Sequence, residues 1–137
     1  MKAISLLLLR FSTGIYLALW GVDKLINVQH AVNLSNKFYG GLTSSAALNY
    51  GIGALEVAIG VLVILGLARS VSYAGQLLFY LVGIIPIIVY ILDPLGLYLV
   101  EAPKLTWFPS TTLLFASLVI IAFKSEDTLS LDHKRSS

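Results

Sequence analysis

The chain has 137 residues, of which 58% are hydrophobic and 12% are charged, with a formal net charge of +2. Soluble domains carry about 25% charged residues, so this composition excludes a water-facing globular surface and predicts a membrane protein. The absence of cysteine excludes disulfides, iron–sulfur clusters and thiolate metal sites, and the scattered basic residues argue against nucleic acid as a partner.

Four apolar runs approach the roughly 20 residues that a helix needs to cross the hydrocarbon core. They predict an all-α integral membrane protein, with a four-helix transmembrane bundle over residues 1–124 and a polar cytoplasmic tail over residues 125–137. No small-residue cleavage site follows the first run, so we expect it to be retained rather than removed as a signal peptide. The runs are Ala3–Val22, Ala47–Ala68, Val71–Leu92 and Ser110–Phe123, the last long enough if it begins near Leu105.

The first connection, residues 27–45, combines Ala31, Leu34 and Phe38 at helical spacing with polar residues between them. This pattern predicts a short interfacial helix between the first and second transmembrane helices, ended by Gly40-Gly41.

The rest of the chain also contains residues that predict turns, a kink and helix ends. The second, Gly66–Ser70, is so short that the helices on either side must be antiparallel neighbours. Pro86 removes a backbone N–H and should kink the third helix. Asp93-Pro94 should end that helix, since the residue before proline leaves the helical region. The polar tail from Lys124 is expected to be mobile.

Lysine and arginine near the ends of the spans favour both termini in the cytoplasm. On this orientation, eight aromatic residues gather near the outer leaflet. They are either an interfacial belt of Trp and Tyr or the wall of a pocket for a lipid headgroup or quinone ring. They are Trp20, Phe38, Tyr39, Tyr50, Tyr90, Tyr98, Trp107 and Phe108.

Three helix faces mix polar side chains with glycines when residues are placed about 100° apart. Glycine lets helices approach closely in lipid, so these faces are expected to meet inside the bundle, or alternatively to contact other chains. The faces are Arg10, Gly14, Leu17, Gly21 and Lys24; Asn49, Gly53, Glu56 and Gly60; and Gln76, Tyr80, Gly83, Ile87 and Tyr90.

Arg10 and Glu56 are charged residues inside otherwise apolar runs, where charge is expensive. The helical rise per residue places the depths of Arg10 and Glu56, measured from the membrane face near Arg69, within the reach of an arginine side chain, so we expect them to pair, directly or through water. Gln76 and Tyr80 are expected to supply further hydrogen bonds. The pair is either a structural clamp between helices or a site that moves protons or anchors a ligand. Lys24 either extends its ammonium to the interface or offers a cation to an anionic substrate or headgroup.

Two segments resemble the DoxX family of small membrane proteins. LLLLRFSTGIYLALWGVDKLIN is similar to that family's first helix, and GIGALEVAIGVLVILGLARS to its second. The residues that carry the resemblance are Arg10, Gly21, Lys24, Glu56, Gly60, Gly66 and Arg69. The resemblance implies a four-helix protein of the bacterial or archaeal cytoplasmic membrane, in a family named after small subunits of a thiosulfate:quinone oxidoreductase.

These observations favour a small subunit or accessory protein of a membrane-bound, quinone-linked electron-transfer complex. The redox cofactors would lie in partner chains. Both histidines, His30 and His133, fall outside the apolar runs, so we expect no metal and no covalently bound cofactor in this chain. Quinone or lipid contact is expected. The alternatives are a small transporter or lipid-binding protein that uses Arg10 and Glu56, and a structural or assembly subunit.

Overall fold

The computed structural model describes residues 1–136, which form helices and turns without a β-strand. Four helical segments are long and apolar enough to cross a membrane, and they place this chain in a lipid bilayer. The predicted all-α, four-helix membrane fold is confirmed. The spans are Lys2–Ile26, Ala46–Leu65, Arg69–Leu92 and Leu105–Ala122.

The described residues contain seven α-helices and three short 3-10 turns, joined by irregular connections. We call the end of the bundle where α1 begins the terminus end, and the end that carries connections 27–45 and 93–108 the loop end. The helices are α1 Lys2–Ile26, α2 Val28–Phe38, α3 Ala46–Leu65, α4 Arg69–Ile84, α5 Ile88–Leu92, α6 Ser110–Ala122 and α7 Leu131–Ser136; the turns are Ile85–Ile87, Leu105–Trp107 and Lys124–Glu126.

Local signals in the sequence explain several of these bounds. The predicted helix in the first connection is α2, and both Gly40 and Gly41 after it have positive φ. The helical run changes to a 3-10 turn around Pro86, whose ring cannot donate a backbone hydrogen bond. The fourth span begins with a 3-10 turn at Leu105, and Pro109 immediately precedes α6.

The closest packing in the bundle joins α1 and α3, which run antiparallel. A Cβ on Gly14 would lie 2.9 Å from the Gly60 carbonyl oxygen, and one on Gly21 would lie 2.5 Å from that of Gly53. Real side chains do not fit at such distances, so the four glycines let the two backbones touch. These faces are therefore filled within the chain and are closed to partner subunits.

The C-terminal segment differs from the expectation of a mobile tail. Asp127 and Ser130 are buried, and the backbone N–H of Asp132 donates to the Gly66 carbonyl. The Asp132 carboxylate also accepts from the backbone N–H of Arg69, which begins α4. Residues 124–136 thus pack across the terminus end because their acidic side chains find unpaired donors there.

Candidate functional site

Glu56 forms an ion pair with Lys24 near the loop end of α1 and α3. The Lys24 ammonium lies 2.8 Å from Glu56 Oε2 and 3.1 Å from Oε1, so it bridges both carboxylate oxygens. The Glu56 side chain is 5% exposed and that of Lys24 is 21% exposed. The same ammonium lies 5.5 Å from the centre of the Trp20 ring, a distance that allows a cation–π contact.

The direction of side chains on antiparallel helices explains this pair. Each Cα–Cβ bond tilts toward the N-terminus of its own helix. Lys24 on α1 therefore leans toward the terminus end and Glu56 on α3 leans toward the loop end, so the two side chains converge. Gly53 assists, because the Lys24 Cβ occupies the space that a Gly53 side chain would need.

The predicted Arg10–Glu56 pair is wrong. Arg10 leans toward the terminus end, away from Glu56, and its guanidinium contacts Gly66. Gly66 follows Glu56 by about ten residues, or roughly 15 Å along a helix. Residue counting placed the two Cα atoms within side-chain reach but ignored the opposite directions of the side chains.

A cavity of about 310 Å³ lies beside Lys24 at the loop end. Four of the eight aromatic residues predicted near this end line it, together with Tyr16. Part of the aromatic set therefore forms a pocket wall. Gly83, at the close of α4, opens the cavity, because a Cβ there would lie 3.5 Å from the Trp20 ring. The aromatic residues in the wall are Tyr16, Trp20, Phe38, Tyr39 and Trp107.

The cavity also has polar groups beyond Lys24. Asp23 and His30 line it and contact each other, with His30 Nδ1 2.6 Å from Asp23 Oδ2. Burial raises the pKa of the Tyr39 phenol, and the nearby Glu56 carboxylate raises it further, so Tyr39 is a hydrogen-bond donor at neutral pH. The cavity therefore presents hydrogen-bond donors within an aromatic wall. Tyr90, a predicted site residue, lies in α5 outside this lining.

Arg10 belongs to a second charged cluster, at the terminus end. Its Nε lies 3.7 Å from Asp127 Oδ2, and its Nη2 donates to the Leu129 carbonyl at 3.4 Å. The Tyr73 hydroxyl donates to the same Asp127 oxygen at 2.6 Å. Arg10 also lies beside Gly66, at the C-terminus of α3, where the helix dipole favours a cation.

Gln76 and Tyr80 lie between the two charged clusters. Gln76 Nε2 donates to Thr13 Oγ1 at 3.1 Å and to Ser117 Oγ at 3.0 Å, which links α4 to α1 and α6. The Tyr80 hydroxyl donates to the Thr13 carbonyl at 2.6 Å. Both residues lie in the bundle interior, but their hydrogen bonds go to neutral groups rather than to Arg10 or Glu56.

Three residues of these networks were missed in the sequence. Thr13 lies one turn after Arg10, and Ser117 is the one polar residue between Leu113 and Ala122. Both positions could have been found by asking which partners a buried Gln76 needs. Asp127 gave no such signal, because it lies in a polar segment that resembles an ordinary exposed tail.

Comparison with known proteins identifies one matching family. The model of the DoxX family matches residues 5–91, well over half of the chain. The match includes most of α1, all of α3 and α4, and both members of the Lys24–Glu56 pair. Searches of curated proteins and of solved structures gave no match. This chain therefore belongs to the DoxX family.

Proposed function

We propose that this chain binds a lipid-soluble ring compound of the quinone class in the loop-end cavity. In this role it is the quinone-proximal accessory subunit of a membrane electron-transfer complex, with redox cofactors in partner chains. It would lie in a prokaryotic cytoplasmic membrane with both termini in the cytoplasm, so that the cavity faces the outer leaflet. The observation that carries the proposal is the cavity of about 310 Å³ beside the Lys24–Glu56 pair.

The chemistry of the cavity wall fits a quinone ring. Aromatic side chains such as Trp20 and Trp107 stack on a flat ring or meet its edge. A quinone also has two carbonyl oxygens that need donors. The Lys24 ammonium has three donor hydrogens, of which the two Glu56 contacts use two. The Tyr39 hydroxyl and the His30 ring can donate to the other carbonyl. Known ligand pockets occupy about 300–1,000 Å³, so the volume fits a quinone headgroup.

Both tryptophans of the chain line the cavity, so intrinsic fluorescence reports on its occupancy directly. We expect a short-chain benzoquinone to quench the fluorescence of the full chain in lipid nanodiscs, in a saturable way. Gly83→Leu should abolish this saturable quenching, because the new side chain fills the cavity without removing a polar group. Gly51→Leu is the matched control, since a Cβ at Gly51 meets no other atom within 4 Å. Equal quenching of the two variants would refute binding at this site.

The place of the chain in a complex needs a separate measurement. The full chain should copurify in mild detergent with a partner that has the optical spectrum of a redox cofactor. Mass spectrometry would identify the partner chains. A lone, stable bundle that nevertheless binds the quinone would retain the ligand half of the proposal and refute the subunit half.

A further inference from the structure

We propose that a hydrated line of buried polar side chains carries protons between Asp127 at the terminus end and Glu56 near the loop-end cavity. The role goes beyond ligand binding and does not depend on it. Protons would enter from water at one end and leave to water at the other. No electron moves and no other bond changes.

The first support is the position of the buried atoms that lack hydrogen bonds. Among residues 1–136, four buried side-chain atoms have no hydrogen-bond partner: Arg10 Nε and Nη1, Gln76 Oε1 and Asp127 Oδ1. Each of these three residues is at most 1% exposed. Buried polar groups are nearly always hydrogen-bonded, to protein or to ordered water. Two donors and two acceptors in one part of the bundle thus indicate sites for internal water.

The second support is that these atoms belong to one nearly continuous line. Asp127 contacts Tyr73, and Gln76 follows Tyr73 by one turn on α4. Gln76 binds the hydroxyls of Thr13 and Ser117. Tyr80, one turn further along α4, binds the Thr13 carbonyl. Hydroxyl groups both donate and accept, which is what a proton relay requires.

The line approaches Glu56 through Tyr80. The ring centres of Tyr80 and Tyr16 lie 6.4 Å apart, and Tyr16 lines the loop-end cavity. Tyr39 lines the loop-end cavity, as does Lys24, which pairs with Glu56. At the entrance to the line, Arg10 pairs with Asp127 and Arg69 pairs with Asp132, so each of these cations has an acidic partner.

The charged and titratable groups along the line come from every element that packs around it. Arg10 and Lys24 lie on α1, Glu56 on α3, and Tyr73 and Tyr80 on α4. Arg69, the first residue of α4, donates from Nη1 to the Asp127 carbonyl at 3.4 Å. Asp127 follows the 3-10 turn after α6. The distance from the level of Gly66 to that of Glu56 is about 15 Å by helical rise, which a few water molecules between the named hydroxyls can bridge.

Gln76→Leu is the sharpest test, because it interrupts the centre of the line without removing a charge. Thr13 and Ser117 keep their own carbonyl acceptors, at Leu9 and Leu113, so the variant should still fold. Gln29→Leu is the matched control, because Gln29 is the other glutamine and lies exposed on α2.

The full chain would be reconstituted in liposomes that contain a pH-sensitive dye, with a potassium gradient and valinomycin to drive proton entry. Wild type and Gln29→Leu should give proton flux above protein-free liposomes, and Gln76→Leu should lose most of it. Absence of flux from wild type, or equal flux from wild type and Gln76→Leu, would overturn the proposal.

A second measurement keeps the test decisive if Gln76→Leu folds poorly. X-ray hydroxyl-radical footprinting oxidises buried aromatic residues that contact internal water. In wild type, Tyr73 and Tyr80 should be oxidised although they are 1% and 3% exposed. If neither is oxidised, the line is dry and the proposal fails.

Discussion

The two charged clusters of this bundle contain similar residues but differ in their surroundings. At the loop end, one lysine and one glutamate on two helices form a pair beside an open cavity. At the terminus end, Arg10 is buried among α1, α3, α4 and the C-terminal segment, with Asp127 as its counter-charge. The first cluster borders a cavity, as the proposed ligand site requires. The second holds four parts of the chain together.

The largest effect is expected at the terminus end. Asp127→Ala leaves the Arg10 guanidinium buried without a counter-charge, and breaking such a pair costs about 3–5 kcal/mol. We expect the free energy of unfolding in detergent to fall by that amount, measured by far-UV circular dichroism during titration with SDS. Glu126→Gln is the control, because Glu126 forms an exposed pair with Lys2 and should cost about 0–1 kcal/mol. Equal losses in both variants would contradict a buried ion pair between Arg10 and Asp127.

The sequence predicted the fold better than the pairing of charges. Apolar run length gave the four spans, and the spacing of glycines gave the face along which α1 meets α3. Both signals can be read from a short stretch of sequence. The thickness of the bilayer sets the length of an apolar run, and close packing of two helices requires small residues at the contact. Partner choice depends on side-chain direction and on distant segments. Lys24 was identified as a site residue without its partner, and Asp127 was missed because a polar tail carries no signal of docking.

Gly66→Ala tests how the terminus end is closed. Gly66 has φ of +67°, and a Cβ there would collide with the Arg10 guanidinium and with Ser130. The backbone strain alone costs about 1–3 kcal/mol, and the collision should also displace residues 124–136. We expect a lower free energy of unfolding and faster removal of the C-terminus by carboxypeptidase.

Gly51→Ala is the matched control for this variant, since it adds the same methyl group on an open helix face. It should change neither stability nor digestion appreciably. Digestion of Gly66→Ala at the wild-type rate would mean that the C-terminal segment is not held through this contact.

The double variant Lys24→Met with Glu56→Leu tests whether the loop-end pair is a clamp. If the glycine contacts of α1 and α3 fix their register, the double variant should unfold within about 1 kcal/mol of wild type, since replacing a buried pair by apolar residues is often neutral. Saturable quenching by the benzoquinone should nevertheless be lost. A strongly destabilised double variant would show instead that the pair is a structural clamp between α1 and α3.

The smallest effect is expected at Asp93, a loop-end carboxylate with a purely structural setting. Its oxygens accept hydrogen bonds from the backbone N–H groups of Leu97, Tyr98, Leu99 and Val100. Burial raises the pKa of this carboxyl. The four hydrogen bonds from backbone N–H groups have the larger effect and hold the pKa well below its usual range. From the sequence alone, Asp93 is expected only to end a helix.

The sign of the pH dependence follows from this lowered pKa. The stabilisation by Asp93 is complete above the unfolded value of about 3.9 and is lost only as the pH falls toward the lower folded value. Hydrogen exchange of the four amides should therefore not respond to protonation of Asp93 between neutral pH and that value, after correction for intrinsic rates. Asp93→Asn should speed exchange at neutral pH, because an amide side chain has one acceptor oxygen in place of two. Exchange in the Lys24–Glu56 region should stay unchanged in this variant, since Asp93 acts on the connection and not on the pair.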